Sequence, residues 1–445
     1  MSLPQKVIES ITKKIWLFNH QFDHYQKILL LDHSGKILGY NGANETSWLE
    51  EGGILYFLGP RGQRSICFAQ AVRRLGRLVL EGEFLDPNLN GAKVQLEEAS
   101  GVQHLLPVSI EEIASHREVL KPSTDVHYPP HMFGDLSMDG DSYPAPAVQR
   151  MQLNDARIIS RFGAVRVGSR FVESTAFQHP FFLTHNLIED RGAGYLHASA
   201  GDVVSIDRAF YVCGGVYDNY YHWLLFLIAR LHPDFFSGID TIITSQPNTE
   251  YQRTGLEALL KTYDLKAVYI RDNVSLHVGE LTFAQQFGTA GLDPHPVFME
   301  TFRDLKAALA RSASPASERI YISRSDASER KLVNEHEVES LVAEHGFQVV
   351  SLQGRSLHEQ AALLHGARVV ISPHGAGMTN IVFCQPNAKV LEFQNPAHIN
   401  WCMKRLAAIN SLYYGFLMGS LVEEGRKEYH INIFRLRGVL SEMDL

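Results

Sequence analysis

Apolar and turn-forming stretches alternate along the first hundred residues. Apolar runs such as KILLLD, ILYFLG and RLVLEGEF are separated by the turn sequences DHSGK, EEGG and GPRGQR. Short apolar runs bounded in this way are typical of β-strands joined by tight turns. We therefore predict a β-rich accessory domain with an N-terminal helix over residues 1–105.

The following stretch has a different composition. Residues 101–146 are rich in proline, glycine and aspartate, as in KPSTDVHYPPHMFGDLSMDGDSYPAP. Such a composition predicts a connector or a long loop.

Strand-like runs then alternate with segments of helical spacing. The helical segments cover residues 250–262, 297–310, 335–345 and 357–366. The strand-like runs are TIITS, AVYI, LTFA, RIYIS, FQVVS, RVVIS and KVLEF. This alternation predicts an α/β fold with parallel sheets covered on both faces. The polar stretch RSASPASE, 311–318, is the best internal boundary, so we expect α/β halves at 106–310 and 311–445.

Composition, charge and cysteine content bear on the number of domains and on the classes of partner that the chain could bind. A chain of 445 residues exceeds the roughly 250–300 residues at which single cores stop growing, so several domains are expected. The formal net charge of -8 comes without a long basic run, which argues against a nucleic-acid partner. The four cysteines are far apart and fit neither a metal site nor a disulfide scaffold. We predict reduced cysteines and no bound metal.

The start of the chain bears on localisation. No apolar stretch approaches the roughly 20 residues that a spanning helix needs. The first residues, MSLPQKVIESITKKIWLF, are too charged for a secretory signal. We expect a cytoplasmic protein. An amphipathic N-terminal helix leaves peripheral association with the inner face of a membrane open, although packing against its own domain is the more common role.

A glycine-rich turn follows the strand VVISP. Its residues His374, Gly375, Ala376 and Gly377 lead into an apparent helix. Ligands of open parallel sheets bind at the carboxyl ends of the strands, where helix N-termini offer free N–H groups to a phosphate. The glycines would let the backbone approach such a ligand. The alternative is an ordinary glycine turn whose histidine bonds to neighbouring carbonyls.

Two further segments carry candidate chemistry. Arg324 follows the strand RIYIS and Arg330 lies six residues on, where both could pair with a diphosphate. The segment GGVYDNYYHWLLFLIARL, 214–231, predicts an apolar helix with Asp218 as N-cap and His222 one turn later. A histidine on so apolar a helix is equally typical of a core residue.

In this order and spacing, the motifs resemble glycosyltransferase family 61. The matching positions are NYYHWLL at 219–225, YISR at 321–324, Arg330, 334–335, Gln360, HGAGMTN at 374–380, Phe383, Pro386 and 390–392. The resemblance covers roughly residues 200–410. It departs from the family pattern at Phe226, where an acidic residue is frequent, and at Ala229, where a proline is frequent.

The resemblance implies a GT-B-like pair of Rossmann-like domains, with the nucleotide sugar held mainly by residues 311–445. It implies inverting transfer from a UDP-sugar to a hydroxyl of a glycan or glycoconjugate, without an essential metal or other cofactor. We expect the diphosphate at the arginines and the glycine turn, and the nucleoside near Asn380 and Glu392. The donor-binding residues are then Arg324, Arg330, Asn334, Gln360, His374, Gly375, Ala376, Gly377, Asn380 and Glu392.

The catalytic base of an inverting transfer takes the proton of the acceptor hydroxyl. His222 fits by residue type and by its place in the NYYHWLL match, with Asp218 to orient its ring. The alternative is that Asp218 is the base and His222 grips a phosphate or acceptor oxygen.

Other interpretations remain open. Asp139 and Asp141 form the Asp-x-Asp pattern by which a different transferase fold holds a metal and UDP, but their Pro/Gly-rich surroundings favour a solvated turn. Phe226 and the β-rich start motivate a non-catalytic carbohydrate-binding or assembly component of polysaccharide synthesis. A nicotinamide-linked enzyme would need a G-x-G-x-x-G motif with a downstream acid, which we do not find.

Overall fold

The computed structural model describes most of the chain. The described residues are 2–20, 27–39, 45–89, 91–136, 139–159, 163–175, 187–189, 194–198, 202–213, 219–271, 274–285, 293–309, 317–325, 330–423, 425 and 427–445. They form a mixed α/β structure whose strands lie in two large sheets, one five-stranded sheet and two small hairpins.

The N-terminal region is an eight-stranded sheet in the order β3-β2-β1-β8-β7-β6-β5-β4, with antiparallel neighbours. The alternating pattern of ILYFL buries Leu55 and Phe57 and leaves their neighbours half-buried, as a one-sided sheet requires. A short helix, α1 (Gln5–Ile8), precedes the sheet, and 3-10 turns occur at Ile11–Lys13 and Pro87–Leu89. The strands are β1 (Ile15–His20), β2 (Lys27–Leu31), β3 (Ile37–Leu38), β4 (Ser47–Glu51), β5 (Ile54–Leu58), β6 (Arg64–Arg74), β7 (Arg77–Phe84) and β8 (Lys93–Glu98).

The middle region contains an eleven-stranded sheet. Its strands and the hairpin β11–β12 are β9 (Val102–Val108), β10 (His116–Lys121), β11 (Thr124–His127), β12 (Ser142–Ala145), β13 (Val148–Ile158), β14 (Val165–Val167), β15 (Arg170–Val172), β16 (Leu187–Glu189), β17 (Tyr195–Ala198), β18 (Asp202–Val212), β19 (Thr241–Ser245), β20 (Lys266–Ile270) and β21 (Val274–Gln285). The helices of the middle region are α2 (Ile110–Ile113), α3 (Tyr220–His222), α4 (Glu250–Tyr263) and α5 (Phe298–Leu309), with a 3-10 turn at Glu173–Thr175.

Two predictions for this region were wrong. The sheet is mixed, because its long central strands β13 and β21 run antiparallel while β21, β18, β19 and β20 are successively parallel. The stretch predicted as a connector supplies β9 and β10 to that sheet and forms β11 and β12. Its prolines do not prevent pairing, since Pro144 lies in a two-stranded hairpin, where one edge of each strand needs no partner.

The C-terminal region is a five-stranded parallel sheet in the order β23-β22-β24-β25-β26. Every residue of β24 is buried, as expected for a parallel strand covered on both faces. Its elements are β22 (Arg319–Ile322), α6 (Glu335–Glu344), β23 (Gln348–Val350), α7 (Leu357–Gly366), β24 (Val369–Pro373), a 3-10 helix (Ala376–Phe383), β25 (Lys389–Gln394), α8 (Cys402–Ile409), β26 (Tyr413–Met418), β27 (Ser420–Leu421), β28 (Tyr429–His430) and α9 (Ile433–Glu442).

The four helices predicted from apolar spacing are confirmed as α4, α5, α6 and α7. Side chains at the starts of α4 and α7 explain where these begin. Thr249 and Gln252 form a capping box on α4, and Ser356 and Glu359 form one on α7. The predicted boundary at 311–318 lies largely outside the described residues.

Helix α8 contacts the stretch around β11 and β12. Lys404 places its Nζ 3.7 Å from the ring centroid of Tyr128 and donates to the carbonyl of Gly140 at 3.1 Å. Arg405 pairs with Asp139 at 3.3 Å and with Asp293 at 2.8 Å. The side chain of Asp139 is only 13% exposed, so the prediction of a solvated turn at this residue was wrong.

Within the part of the chain that the structure describes, no helix has the length and apolar character needed to cross a membrane.

Candidate active site

The candidate site lies at the carboxyl ends of three neighbouring parallel strands. β22 pairs with β24, and β24 pairs with β25, with Ser372 opposite Glu392. Arg324 follows the end of β22 and His374 follows the end of β24. Residues far apart in sequence therefore meet at one edge of the C-terminal sheet, as the β-α alternation predicted.

A buried carboxylate orients His374. The Nδ1 atom of His374 lies 2.6 Å from Oε1 of Glu392, which has no exposed surface. The other carboxylate oxygen accepts the hydroxyl of Tyr414 at 2.5 Å and the side-chain amide of Gln394 at 3.0 Å. Burial raises the pKa of Tyr414 well above its usual value, so its hydroxyl stays a donor. With Nδ1 held in this way, Nε2 of His374 has no partner among the described residues.

Arg324 is fixed against the same turn. Its guanidinium donates to the backbone carbonyl of His374, and the backbone N–H of Arg324 donates to Oε1 of Glu335 at 2.7 Å. That oxygen also accepts the hydroxyl of Tyr321 at 3.0 Å. Burial raises the pKa of Glu335. The start of α6 thus holds the arginine over the glycine turn.

Gly375 is required for a reason that differs from the expected one. Its φ of 169° is extended, so the backbone conformation does not demand glycine. A Cβ atom at this position would lie 1.9 Å from Nη1 of Arg324. The absent side chain therefore leaves room for the guanidinium. At Gly377, a Cβ would come within 3.3 Å of Leu352, and the element that includes Ala376 and Gly377 is a 3-10 helix.

Three of the predicted donor-binding side chains are bonded to the protein itself. Asn380 is fully buried, donates to Gln360 at 3.0 Å and to the carbonyl of Gly377 at 2.9 Å, and accepts the hydroxyl of Tyr220 at 2.7 Å. Gln360 in turn donates to the carbonyl of Arg355 at 3.0 Å. Their direct contact with a donor stays a prediction.

Asn334 is the third of these residues. Its amide group donates to the carbonyl of Ile431 at 2.9 Å, and its oxygen accepts the N–H of Ile431 at 3.0 Å. These two hydrogen bonds to the backbone of Ile431 connect the start of α6 to the C-terminal part of the chain.

Sequence reasoning missed His398. Its ring centroid lies 5.8 Å from that of His374. Burial and the charge of Arg330 lower the pKa of His398, which places Arg330 in the same electrostatic environment. Arg330 has a φ of 55°, and its side chain makes no ion pair with a described residue. No periodic motif marks the segment around His398, so the sequence offered no signal for it.

The helical segment 220–230 carries the second candidate group. It comprises α3, a π-helix (Trp223–Leu227) and a 3-10 turn (Ile228–Arg230). The N-cap is Asn219, whose side chain accepts the N–H groups of Tyr221 and His222. The prediction of Asp218 as N-cap was therefore wrong, and Asp218 lies outside the described residues.

His222 is half-buried and packs against an aromatic ring. Its ring centroid is 5.1 Å from that of Phe226. Its Nδ1 is buried without a hydrogen-bond partner among the described residues, and burial lowers the pKa of His222 to about 4. The imidazole is therefore neutral at pH 7 and able to accept a proton. The bond from Tyr220 to Asn380 places this segment against the 3-10 helix of the C-terminal region.

Residues 220–391 match the family model described as Glycosyltransferase 61. This part of the chain is therefore similar to glycosyltransferase family 61. The match confirms the resemblance and includes His222, Arg324 and His374. The matched segment ends one residue after Val390 and directly before Glu392. The N-terminal sheet lies outside the family 61 segment.

Among curated proteins, a β-1,2-xylosyltransferase of rice, Oryza sativa subsp. japonica, is 34% identical over 104 residues. The alignment covers 23% of this chain and 18% of that protein, so the chain spans less than a fifth of the relative's length.

Among solved structures, a psychrophilic marine protease MP inhibitor aligns at 18% identity with a TM-score of 0.15. The alignment covers 20% of this chain and 95% of the inhibitor. A likeness at this level carries no argument.

Proposed function

We propose that the chain is an inverting glycosyltransferase that moves a sugar from a UDP-sugar to a hydroxyl of a glycan or glycoconjugate, without an essential metal or cofactor. The single observation that carries this proposal is the site formed by Arg324 and His374, within the family 61 segment, and Glu392, directly after it. The rice xylosyltransferase adds support, since its name describes transfer of a sugar.

Within this proposal the arginines and the glycine turn hold the diphosphate. A leaving diphosphate gains negative charge as the glycosidic bond breaks, and fixed cations and N–H groups stabilise that charge. Arg324 and Arg330 supply the cations, and residues 375–377 supply backbone N–H groups. His374 presents Nε2 to the ligand, while Glu392 fixes its ring through Nδ1.

We propose His222 as the base that takes the acceptor proton. Its neutral imidazole has the required protonation state, and its segment contacts the 3-10 helix that follows the glycine turn. We also propose a GT-B arrangement, in which the C-terminal parallel sheet binds the donor and the middle region presents the acceptor. No group of three or more histidine, cysteine or acidic side chains within the described residues is suited to hold a metal ion.

UDP binding tests the donor assignment directly. UDP in the presence of EDTA should raise the thermal unfolding temperature, because a ligand that binds only the folded state stabilises it. Arg324→Ala should abolish most of that rise, while Arg355→Ala, which changes a half-buried arginine of the same region, should leave it. Absence of a shift with UDP far above a typical Kd would contradict the proposal.

A second function is favoured by one observation. Phe226 packs on His222, and no described carboxylate orients that ring. A transferase whose acceptor-side chemistry has decayed would retain UDP binding and bind glycans without turnover. A screen of UDP-sugars for hydrolysis by the full chain, beside glycan-array binding, separates the two functions.

A further inference from the structure

A second basic group lies on the middle sheet. Arg157 of β13 is directly opposite Arg166 of β14 and also opposite His277 of β21. Side chains at such positions lie on one face with Cβ atoms about 4.5–5.5 Å apart, and like charges directly opposite are destabilising. A negative charge near two such arginines would therefore offset their repulsion.

The neighbouring acid does not pair with the arginines. The carboxylate of Asp155 lies 2.5 Å from Nε2 of His277, and its side chain is 81% exposed. Its pKa is lowered chiefly by that hydrogen bond, with smaller contributions from Arg157 and Arg166. Among the described residues, Asp155 forms no ion pair with either arginine.

Within the part of the chain that the structure describes, two buried polar atoms of this group lack partners. Arg166 is 7% exposed, and its Nη1 donates to the carbonyl of Gly168 at 2.7 Å, but its Nε is buried without a partner. His197 of β17 is 2% exposed, and its Nδ1 is likewise unpartnered. Burial, followed by the charges of Arg166 and Arg157, lowers the pKa of His197 to about 4, so both arginines act on this ring. Buried polar groups without partners are uncommon in folded proteins and call for a ligand or another explanation.

We propose that Arg157, Arg166 and His197 bind an oxyanion, the phosphate or carboxylate group of a small ligand. A guanidinium matches such a group because its planar N–H donors meet two oxygens at once. The Nε of Arg166 and the Nδ1–H tautomer of His197 supply two further donors from buried positions. The bound anion would also neutralise the repulsion between the opposed arginines. The site is built from the middle sheet alone, so it stands whether or not the chain transfers sugar.

Calorimetric titration of the full chain tests this site with three probes in a zwitterionic buffer. Inorganic phosphate and D-glucuronate carry the two oxyanions, and D-glucose is the neutral control. Binding of phosphate alone assigns a tetrahedral oxyanion, and binding of glucuronate alone assigns a carboxylate; either supports the proposal. Binding of neither anion overturns it, as does binding of glucose as tight as that of glucuronate.

Variants locate the binding. Arg157→Gln should weaken the anion about 10- to 100-fold, which corresponds to loss of a charge-assisted contact. Arg157 is only half-buried, so this variant should fold, whereas Arg166→Gln changes a buried side chain and serves as a second variant if its unfolding remains cooperative. Arg170→Gln, an exposed arginine of the neighbouring strand β15, is the matched control. Equal weakening by Arg157→Gln and Arg170→Gln would show unspecific attraction and overturn the proposal.

Discussion

The two histidines of the candidate active site lie in contrasting surroundings. His374 is held by a buried carboxylate that has two further hydrogen bonds, from Tyr414 and Gln394. His222 rests on the ring of Phe226 with a buried, unpartnered Nδ1. Hydrogen bonds therefore fix the ring of His374, whereas the described surroundings of His222 fix its ring only by packing. We expect this difference to let mutation separate the two proposed roles, donor binding at His374 and proton transfer at His222.

The largest expected effect belongs to His222. His222→Ala should lower the rate of transfer by about 10²–10⁴, the usual contribution of a general base, and leave UDP affinity unchanged. Turnover and UDP titration on the same preparation measure the two quantities, with His336→Ala, at an exposed position of α6, as control. Asp218→Asn, assayed in parallel, distinguishes the base from its sequence neighbour. Near-normal turnover in both variants would mean that this segment is core only.

Arg324→Ala tests the surroundings of His374. Loss of a charge-assisted contact should weaken UDP about 10- to 100-fold, while the protein stays folded. Calorimetric titration of UDP measures the change, and Arg355→Ala provides the reference. Unchanged affinity would remove Arg324 from the diphosphate site.

Gly375→Ala sharpens that result. The new Cβ would occupy the space of the Arg324 guanidinium, so the variant should weaken UDP mainly by displacing that side chain. In the Arg324→Ala background the same substitution should then add little, because the displaced group is already absent. Additive effects of the two substitutions would mean that Gly375 contacts the ligand by itself.

The smallest effect concerns pH. Burial lowers the pKa of His222 to about 4 from 6.5, so the unfolded chain binds this proton at a higher pH than the folded one. The stability contributed by the neutral ring is full above pH 6.5 and is lost as the pH falls toward 4. Wild type should therefore lose about 1 kcal/mol more than His222→Gln between neutral pH and pH 5, allowing for partial solvent screening. Denaturant unfolding at the two pH values measures this, and equal losses would mean that the ring is not desolvated.

The elements with strong local signals were predictable from sequence. β24 and β25 are short apolar runs, and α4 and α7 combine apolar spacing with capping boxes. Because parallel strands end at one edge, the meeting of Arg324 and His374 followed from the same pattern.

Other features depend on tertiary contacts that no local pattern records. The pairing of β13 with β21 joins residues over a hundred positions apart, and β9 and β10 are strands because that sheet accepts them. The N-cap is Asn219 and not the preceding Asp218. Both residue types suit an N-cap, so the sequence does not distinguish them. The need for glycine at position 375 comes from a guanidinium 51 positions earlier in the chain (375 − 324).

The contact of α8 with the stretch around Asp139 has a consequence for synthesis. The pair Asp139–Arg405 joins residues separated by 266 positions, and Lys404 reaches Gly140 over 264. At translation rates of roughly 5–20 residues per second, Asp139 leaves the ribosome about 13–53 seconds before its partner. The C-terminal sheet has mostly local parallel connections and can assemble as soon as its strands emerge. Docking of α8 should therefore be among the last folding events, and a chain truncated before Cys402 should keep the aspartate without its cation.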